Sequence, residues 1–467
     1  MFPKLTYLLL TSTLLVFFSC KKDAVITDPS AKLHFTTDTV MFDTVFTTIG
    51  STTHNFRVHN RNKKAIVISS IELAGGVNSL FRINVDGISG TSFSDIQIPA
   101  KDSIYIFVEV TIDQTAGVLP FIINDSIIFV TNSNVQDVKL VAWGQDAHFF
   151  NGQVLCDMTW SNDKPYVIYN SVLVDSGCTL TINQGVQVYT HSNAGLFVDG
   201  TLIVNGTVDD PVVFQGDRLE SYYDDIPGQW YGIFILRGST GSVIDHALIK
   251  NAFYGVSAGS FSNPDLSQFT LANAPDVLIK RTVIQNMSYT GIFGFKSNIT
   301  AENTLINNCV KHGAQLAFGG NYDFTHVTMV NNGLTGIDHG DATLALGNFA
   351  EDESVHYKED LNATFTNCII SGSLDEELEY SDDNIAQFNY LFENCLLKTE
   401  LNVSAAEYIA IIKNQDPIFQ DKLEDDYHLQ LGSPCRNAGK LTFVLDDLDD
   451  VARSDGAPDI GAYEYVP

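Results

Sequence analysis

The chain has 467 residues, 45% of them hydrophobic and 18% charged, enough to build a large core and two or three domains. Its 26 Lys and Arg stand against 56 Asp and Glu, a formal net charge of −30. That balance excludes a nucleic-acid partner, which needs a basic footprint. It also repels a polyuronate at long range, unless a local basic groove or a cation intervenes.

The chain opens on a targeting segment. Lys4 precedes an apolar run, Leu8 to Phe18, that is too short to cross a bilayer as a helix. The run ends "VFFSCKKD", and Ser19-Cys20 resembles the lipobox of bacterial lipoproteins, with Phe17 where Leu is usual. The resemblance implies a signal peptide over 1–20, acylation of Cys20 and a tether over 21–31. It further implies an exported lipoprotein held in the outer membrane and exposed at the cell surface. The alternative is an ordinary secretory peptide with a stray Cys.

Residues 32–147 alternate short β-rich runs ("NFRVHN", "AIVISSIEL", "SIYIFVEVTI", "DSIIFVTN", "VKLVAWG") with turn clusters, which predicts an antiparallel β-sandwich. The order resembles the immunoglobulin-like modules that precede bacterial surface domains, and implies a spacer. Asp38-Thr39-Val40, Asp43-Thr44-Val45, Asp102-Ser103-Ile104 and Asp125-Ser126-Ile127 resemble an O-glycosylation signal of one group of Gram-negative bacteria.

Within a β-helix domain placed at 148–400, the stretch from His246 to Gly372 repeats an apolar residue, any residue, then Asn, with a further copy at Asn394. The Asn residues are Asn251, Asn286, Asn308, Asn331, Asn367 and Asn394, several with Gly five positions later. Spacings near 22 residues mark a solenoid whose units bury their apolar faces on one another. Alternation around each Asn indicates strands, and parallel crossovers are right-handed almost without exception. The fold class predicted is therefore all-β, a sandwich followed by a right-handed parallel β-helix. The Asn column reads as a structural ladder, each amide bonding backbone and the next amide. Five positions earlier, His246, Arg281, Asn303, His326, Asn362 and Asn389 read as an outward polar column. Gly177, Gly185, Gly200 and Gly206 mark corners, and Trp230 covers the core. Cys156 and Cys178 are one coil apart and could pair, while Cys309, Cys368 and Cys395 each follow an Asn at one repeated core position.

"CTLTINQGVQVYTHSNAGLFVDGTLIVNG" resembles the opening coils of bacterial β-helix surface proteins. "DPIFQDKLEDDYHLQLGSPCRNAGK" with "PDIGAYEY" resembles the closing motif of the choice-of-anchor Q group. Residues 401–467 are then a cap closing the open strand edges. The resemblance does not specify a reaction: such proteins include polysaccharide lyases, glycoside hydrolases and chains with no established chemistry.

A lyase needs a base and a cation, calcium or Arg, to neutralise the substrate carboxylate. His246, Arg281 and His326 are available but spread over several coils. A glycosidase needs two carboxylates about 5–10 Å apart. Asp224-Asp225, Asp382-Asp383, Asp425-Asp426 and Asp446-Asp447 are adjacent only in loops, and "DHGD" at 338–341 is a mixed cluster at a turn. No spacing specifies a metal, calcium included, and no cofactor is implied. Two insertions, 258–275 and 340–362, leave the same corner three coils apart, about 14 Å at the strand spacing. They predict a groove floored by Phe293, Phe295, Gln315 and Asp338, a glycan-binding patch; the alternative is that Phe293 and Phe295 are core residues with the register off by one. The reading is a lipid-anchored surface protein that binds polysaccharide or surface proteins; the alternative is a carbohydrate-active enzyme on the helix flank.

Overall fold

The computed structural model describes residues 24–46, 51–112, 121–259, 274–332, 339–352, 355–453 and 456–467. Cys20 and the segment before it lie outside them. The chain divides into two compact units, 1–146 and 147–467.

In the first unit two five-stranded sheets share one core. One contains His54–His59, Phe81–Val85 and Ser103–Val110; the other contains Ile66–Leu73, Phe121–Thr131 and Asn134–Gln145. Strict alternation builds this core: Ile104, Ile106, Val108 and Val110 face inward while Tyr105, Phe107 and Glu109 face out. Pairing is antiparallel except between Thr39–Phe46 and Asn134–Gln145, which run parallel.

The second unit is a parallel β-helix. An 11-stranded sheet takes one strand from each coil, from His148–Phe150 to Ile412–Lys413. A 17-stranded sheet wraps two further sides of the coil. Its strands Tyr254–Ala258 and Asp276–Lys280 both pair with the single strand Thr290–Glu302, whose register with His312–Thr325 shifts between Gly294 and Phe295, leaving Ala317 as the extra residue. Pairing within both sheets is parallel, and the inward residues form one long core that includes Trp160 and Trp230. The Trp230 indole N–H donates to the Lys250 carbonyl at 2.9 Å. Cys156 and Cys178 form a disulfide.

From residue 246 on, one corner of each coil turns through the left-handed region, and in three coils a second corner does too; the conformation costs an ordinary L-residue about 1–2 kcal/mol and Asn less. The first corner column is His246, Arg281, Asn303, His326, Asn367, Asn394 and Ala410, with φ from 44° to 56°. The second contains Asn251, Asn286 and Asn308, with φ from 54° to 64°. The single Asn column read from sequence is thus two. Thr328–Asn331 pairs with Ile369–Gly372, placing Asn331 beside Gly372 and His326 in line with Asn367. The glycines differ as well. Gly177 and Gly185 have positive φ, but Gly200 and Gly206 do not; a Cβ there would lie 2.1 and 2.0 Å from the carbonyl oxygens of Cys178 and His246. They are glycines for space. Cys309, Cys368 and Cys395 are all buried free thiols, Cys309 after the second corner and the other two after the first.

The corner amides do not bond each other in a ladder. They reach out to covering segments: Asn251 to the carbonyls of Tyr223 and Asp224, Asn286 to Asp225, Asn308 to Asp425, Asn367 to Lys440 and Asn394 to Ala438. An amide ladder does exist, on the exposed face of the 17-stranded sheet, where Asn389, Asn362, Asn321 and Asn298 bond in series at 2.8 to 3.1 Å.

The C-terminal segment runs along the helix instead of closing its end. The last coil strands, Tyr408–Ile409 and Ile412–Lys413, lie beyond the predicted boundary at 400. Phe419, Tyr427, Leu429, Ile460 and Tyr463 then pack on the outer face of the 11-stranded sheet, against Leu305, Val330, Ile369 and Leu396. Buried Arg453 holds the segment in place, donating to Glu464 at 2.6 Å and Asn303 at 2.9 Å. His428 staples it again, with Nδ1 2.6 Å from Asp426 and Nε2 2.8 Å from Asp449.

The bond to Asp449, with Asp426 behind it, raises the His428 pKa to about 9. The folded value lies above the unfolded value of about 6.5. The charged staple therefore contributes its full stability below about pH 6.5 and loses it as pH rises through about 9. Urea midpoints measured from neutral to alkaline pH should fall more steeply for wild type than for His428→Asn; parallel curves would refute the staple.

Candidate functional site

Val256, Ile292 and Ala314 point into the helix core, and Leu344 continues their column. Ser257, Phe293 and Gln315 therefore face away from it, but Ala345, not Asp338, takes the next place. Asp338 lies outside the described residues. Phe293 and Phe295 are 1% and 2% exposed, so they cannot floor an open groove. With Phe318 they form a separate cluster, packed by Tyr254, Ala317, Ala350 and Tyr357. The second insertion folds into a hairpin of Phe349–Asp352 and Val355–Lys358, which brings Ala350 and Tyr357 onto these rings. The insertion covers the patch instead of walling a cleft. Gln315 is half-buried.

Accessible aromatic rings stand one corner away. The backbone N–H of Tyr289 donates to the Phe253 carbonyl and that of Lys311 to the Tyr289 carbonyl, so these residues stack coil on coil. Phe253 is 39% exposed, and Tyr231 on the preceding coil is 44% exposed. The Phe253 and Tyr289 rings stack at 5.2 Å and 14°, with Tyr254 edge-on to both. Phe197 and Phe234 stack at 4.8 Å and 15° on earlier strands, and Phe234 meets Tyr254 edge to face. Lys311 Nζ sits 5.1 Å from the Tyr289 ring centre and 3.8 Å from Asp341. Burial, with Tyr289 alongside, pushes the Tyr254 hydroxyl up to about 12, so it stays protonated at neutral pH. A row of rings ending in an amine and a carboxylate can stack on the apolar faces of sugars and bond their hydroxyls. The signal was in the sequence: the residue two before each Gly is Phe253, Tyr289 and Lys311 in turn.

The acid and base candidates have other partners. His326 is fully buried, bonds Asn367 at 2.9 Å, and burial holds its pKa well below the ordinary value. His246 and Arg281 are joined to Asp245 and Asp450, which places Asp245 among cations that, against its burial, hold its carboxyl far below the usual range. His339 of the "DHGD" turn is buried against Glu377, which also accepts from Thr343. In three of the four acidic pairs a carboxylate binds asparagine, Asp225 with Asn286, Asp382 with Asn348 and Asp425 with Asn307 and Asn308; in the fourth, Asp447 accepts from the backbone N–H groups of Asp449, Val451 and Glu464. Cys156, Asp157 and Cys178 lie close enough to share an ion, but the two sulfurs are spent in the disulfide.

The chain matches the pectate-lyase-like β-helix domain over residues 152–263. It is 32% identical over 117 residues to the protein bark beetle of Drosophila melanogaster, which is 23% of this chain and 4% of that protein. Among solved structures, a family 123 glycoside hydrolase from Clostridium perfringens, described for glycolipid glycan hydrolysis, shares 9% identity. The match covers 25% of this chain and 26% of that one, with a TM-score of 0.18. The PapD-like domain 7 of human CEP192 shares 13% identity over 28% of this chain and 94% of that one, with a TM-score of 0.17. Scores this low carry no functional argument. What the domain match and the strand pairing define together is a parallel β-helix protein.

Phe293→Ala should destabilise the second unit by about 3–5 kcal/mol, the range for an emptied aromatic core site. Phe253→Ala should stay within about 0.5 kcal/mol, as exposed substitutions do. Equal losses in chemical denaturation would refute this assignment of the two rings.

Proposed function

We propose that the chain is a lipid-anchored protein of the outer-membrane surface, tethered through Cys20, whose β-helix binds polysaccharide without cleaving it. The single observation that carries the reading is the half-exposed row of Phe253, Tyr254 and Tyr289 ending in Lys311 and Asp341. The occupied state of the acids and histidines weighs against chemistry. The first unit reads as an immunoglobulin-like sandwich between tether and helix. Glycan-array binding should fall strongly for Phe253→Ala/Tyr289→Ala and stay unchanged for Gln315→Ala. Identical wild-type and double-variant profiles, with the fold intact, would refute the platform.

A carbohydrate-active enzyme is the second reading, and one observation favours it. A hollow of about 240 Å³ is lined by Lys280, Arg281 and Glu302. Burial raises the Glu302 carboxyl above its ordinary value. A base beside two cations has the composition β-elimination requires. Ultraviolet-absorbing products from a polyuronate, lost in Glu302→Gln, would establish this reading in place of the first.

A further inference from the structure

A protein of net charge −30 repels acidic polysaccharides unless some local surface reverses the sign. The first unit carries such a surface. On the outer face of Ser103–Val110, Tyr105 and Phe107 are each 37% exposed, with ring centres 5.9 Å apart and planes 21° from parallel. Two arginines flank this pair from neighbouring strands, Arg57 opposite Tyr105 and Arg82 opposite Glu109.

Both guanidinium groups are exposed and held in place. Arg57 lies 4.4 Å from the Tyr105 ring centre and bonds the Tyr105 hydroxyl. Arg82 donates through Nη1 to the carbonyls of Ser79 and Phe81. Neither is within ion-pair distance of a carboxylate among the described residues. Glu109 on the same face accepts from Thr53 at 2.6 Å, and exposed Asp86 lies at the end of the face, its backbone N–H donating to the Tyr105 carbonyl. A hollow of about 550 Å³ runs beside the platform, lined by Arg82, Asn84, Ser89, Phe107 and Glu109.

We infer that this sheet face is a second glycan site, one that takes uronic-acid-containing polysaccharide. A sugar ring stacks on Tyr105 or Phe107, its carboxylate accepts from the Arg57 or Arg82 fork, and Asn84 bonds hydroxyls. The uronate carboxylate is what distinguishes this face from the helix row, where Lys311 already lies beside Asp341. Arginine supplies a fixed charge at every physiological pH, so binding weakens with salt.

The test is affinity electrophoresis of the full chain in gels containing polygalacturonate or neutral dextran, at low and high salt. Wild type should be retarded by polygalacturonate in a salt-sensitive way. Arg57→Gln/Arg82→Gln should weaken that retardation by about tenfold, the scale of a charge-assisted contact, with an unchanged melting curve. Phe107→Ala should also weaken it, and Phe253→Ala/Tyr289→Ala should not. Polygalacturonate retardation that survives the arginine variant, that disappears only in the Phe253/Tyr289 variant, or that is absent in wild type would overturn the site. None of these outcomes depends on whether the helix row binds neutral glycans.

Discussion

The second unit depends on a chain that turns through the left-handed region at one corner of each coil from His246 to Ala410, and at a second corner in three of them. At each such corner the backbone is strained for most residues, and a polar side chain is directed out of the stack. Asn tolerates that conformation because its short amide can satisfy backbone groups nearby. His246, Arg281 and His326 occupy the same geometry with larger side chains, and each is engaged by a partner: Asp450 for the first two and Asn367 for the third. The corners thus generate rows of polar groups that need partners, because an unmade bond to a buried amide costs about 1–3 kcal/mol. Residues 217–228 and the C-terminal segment supply those partners, and the C-terminal segment buries apolar surface as it does so.

The solenoid, its strand periodicity and its parallel pairing were legible because each coil repeats the demand for an inward apolar residue before a corner. The phase of the repeat was not. Both corners select Asn after an apolar strand, so "FTNCIISG" and "LINNCVKHG" look equivalent although Asn367 and Asn308 stand at different corners. Only strand pairing, with Asn331 beside Gly372, separates them. The same ambiguity placed Asp338 in a column that Ala345 holds. The direction of Phe293 was readable from alternation, but its burial was not, since that depends on the hairpin of Phe349–Asp352 and Val355–Lys358 packing Ala350 and Tyr357 onto the ring cluster.

Acidity is used here in two ways. Some carboxylates are structural, and three of the four acidic pairs bind asparagines. The rest keep the surface negative, which makes the exceptions informative. Aromatic rings remain accessible on the helix flank and on one sheet of the first unit, and each set has cations beside it. That recurrence, in two compact units, is consistent with the proposal that the chain binds carbohydrate.

The central structural claim is that the C-terminal segment braces the corners laterally, with Arg453 as its buried anchor. Hydrogen exchange of Arg453→Met measures this most directly, because removing one partner of a buried pair costs about 3–5 kcal/mol. Amide protection should fall in residues 415–467 and in the coils cornered by Asn303, Asn367 and Asn394, while the coils before Val212–Gly216 stay protected. Protection lost evenly along the whole helix, or not lost at all, would contradict the account.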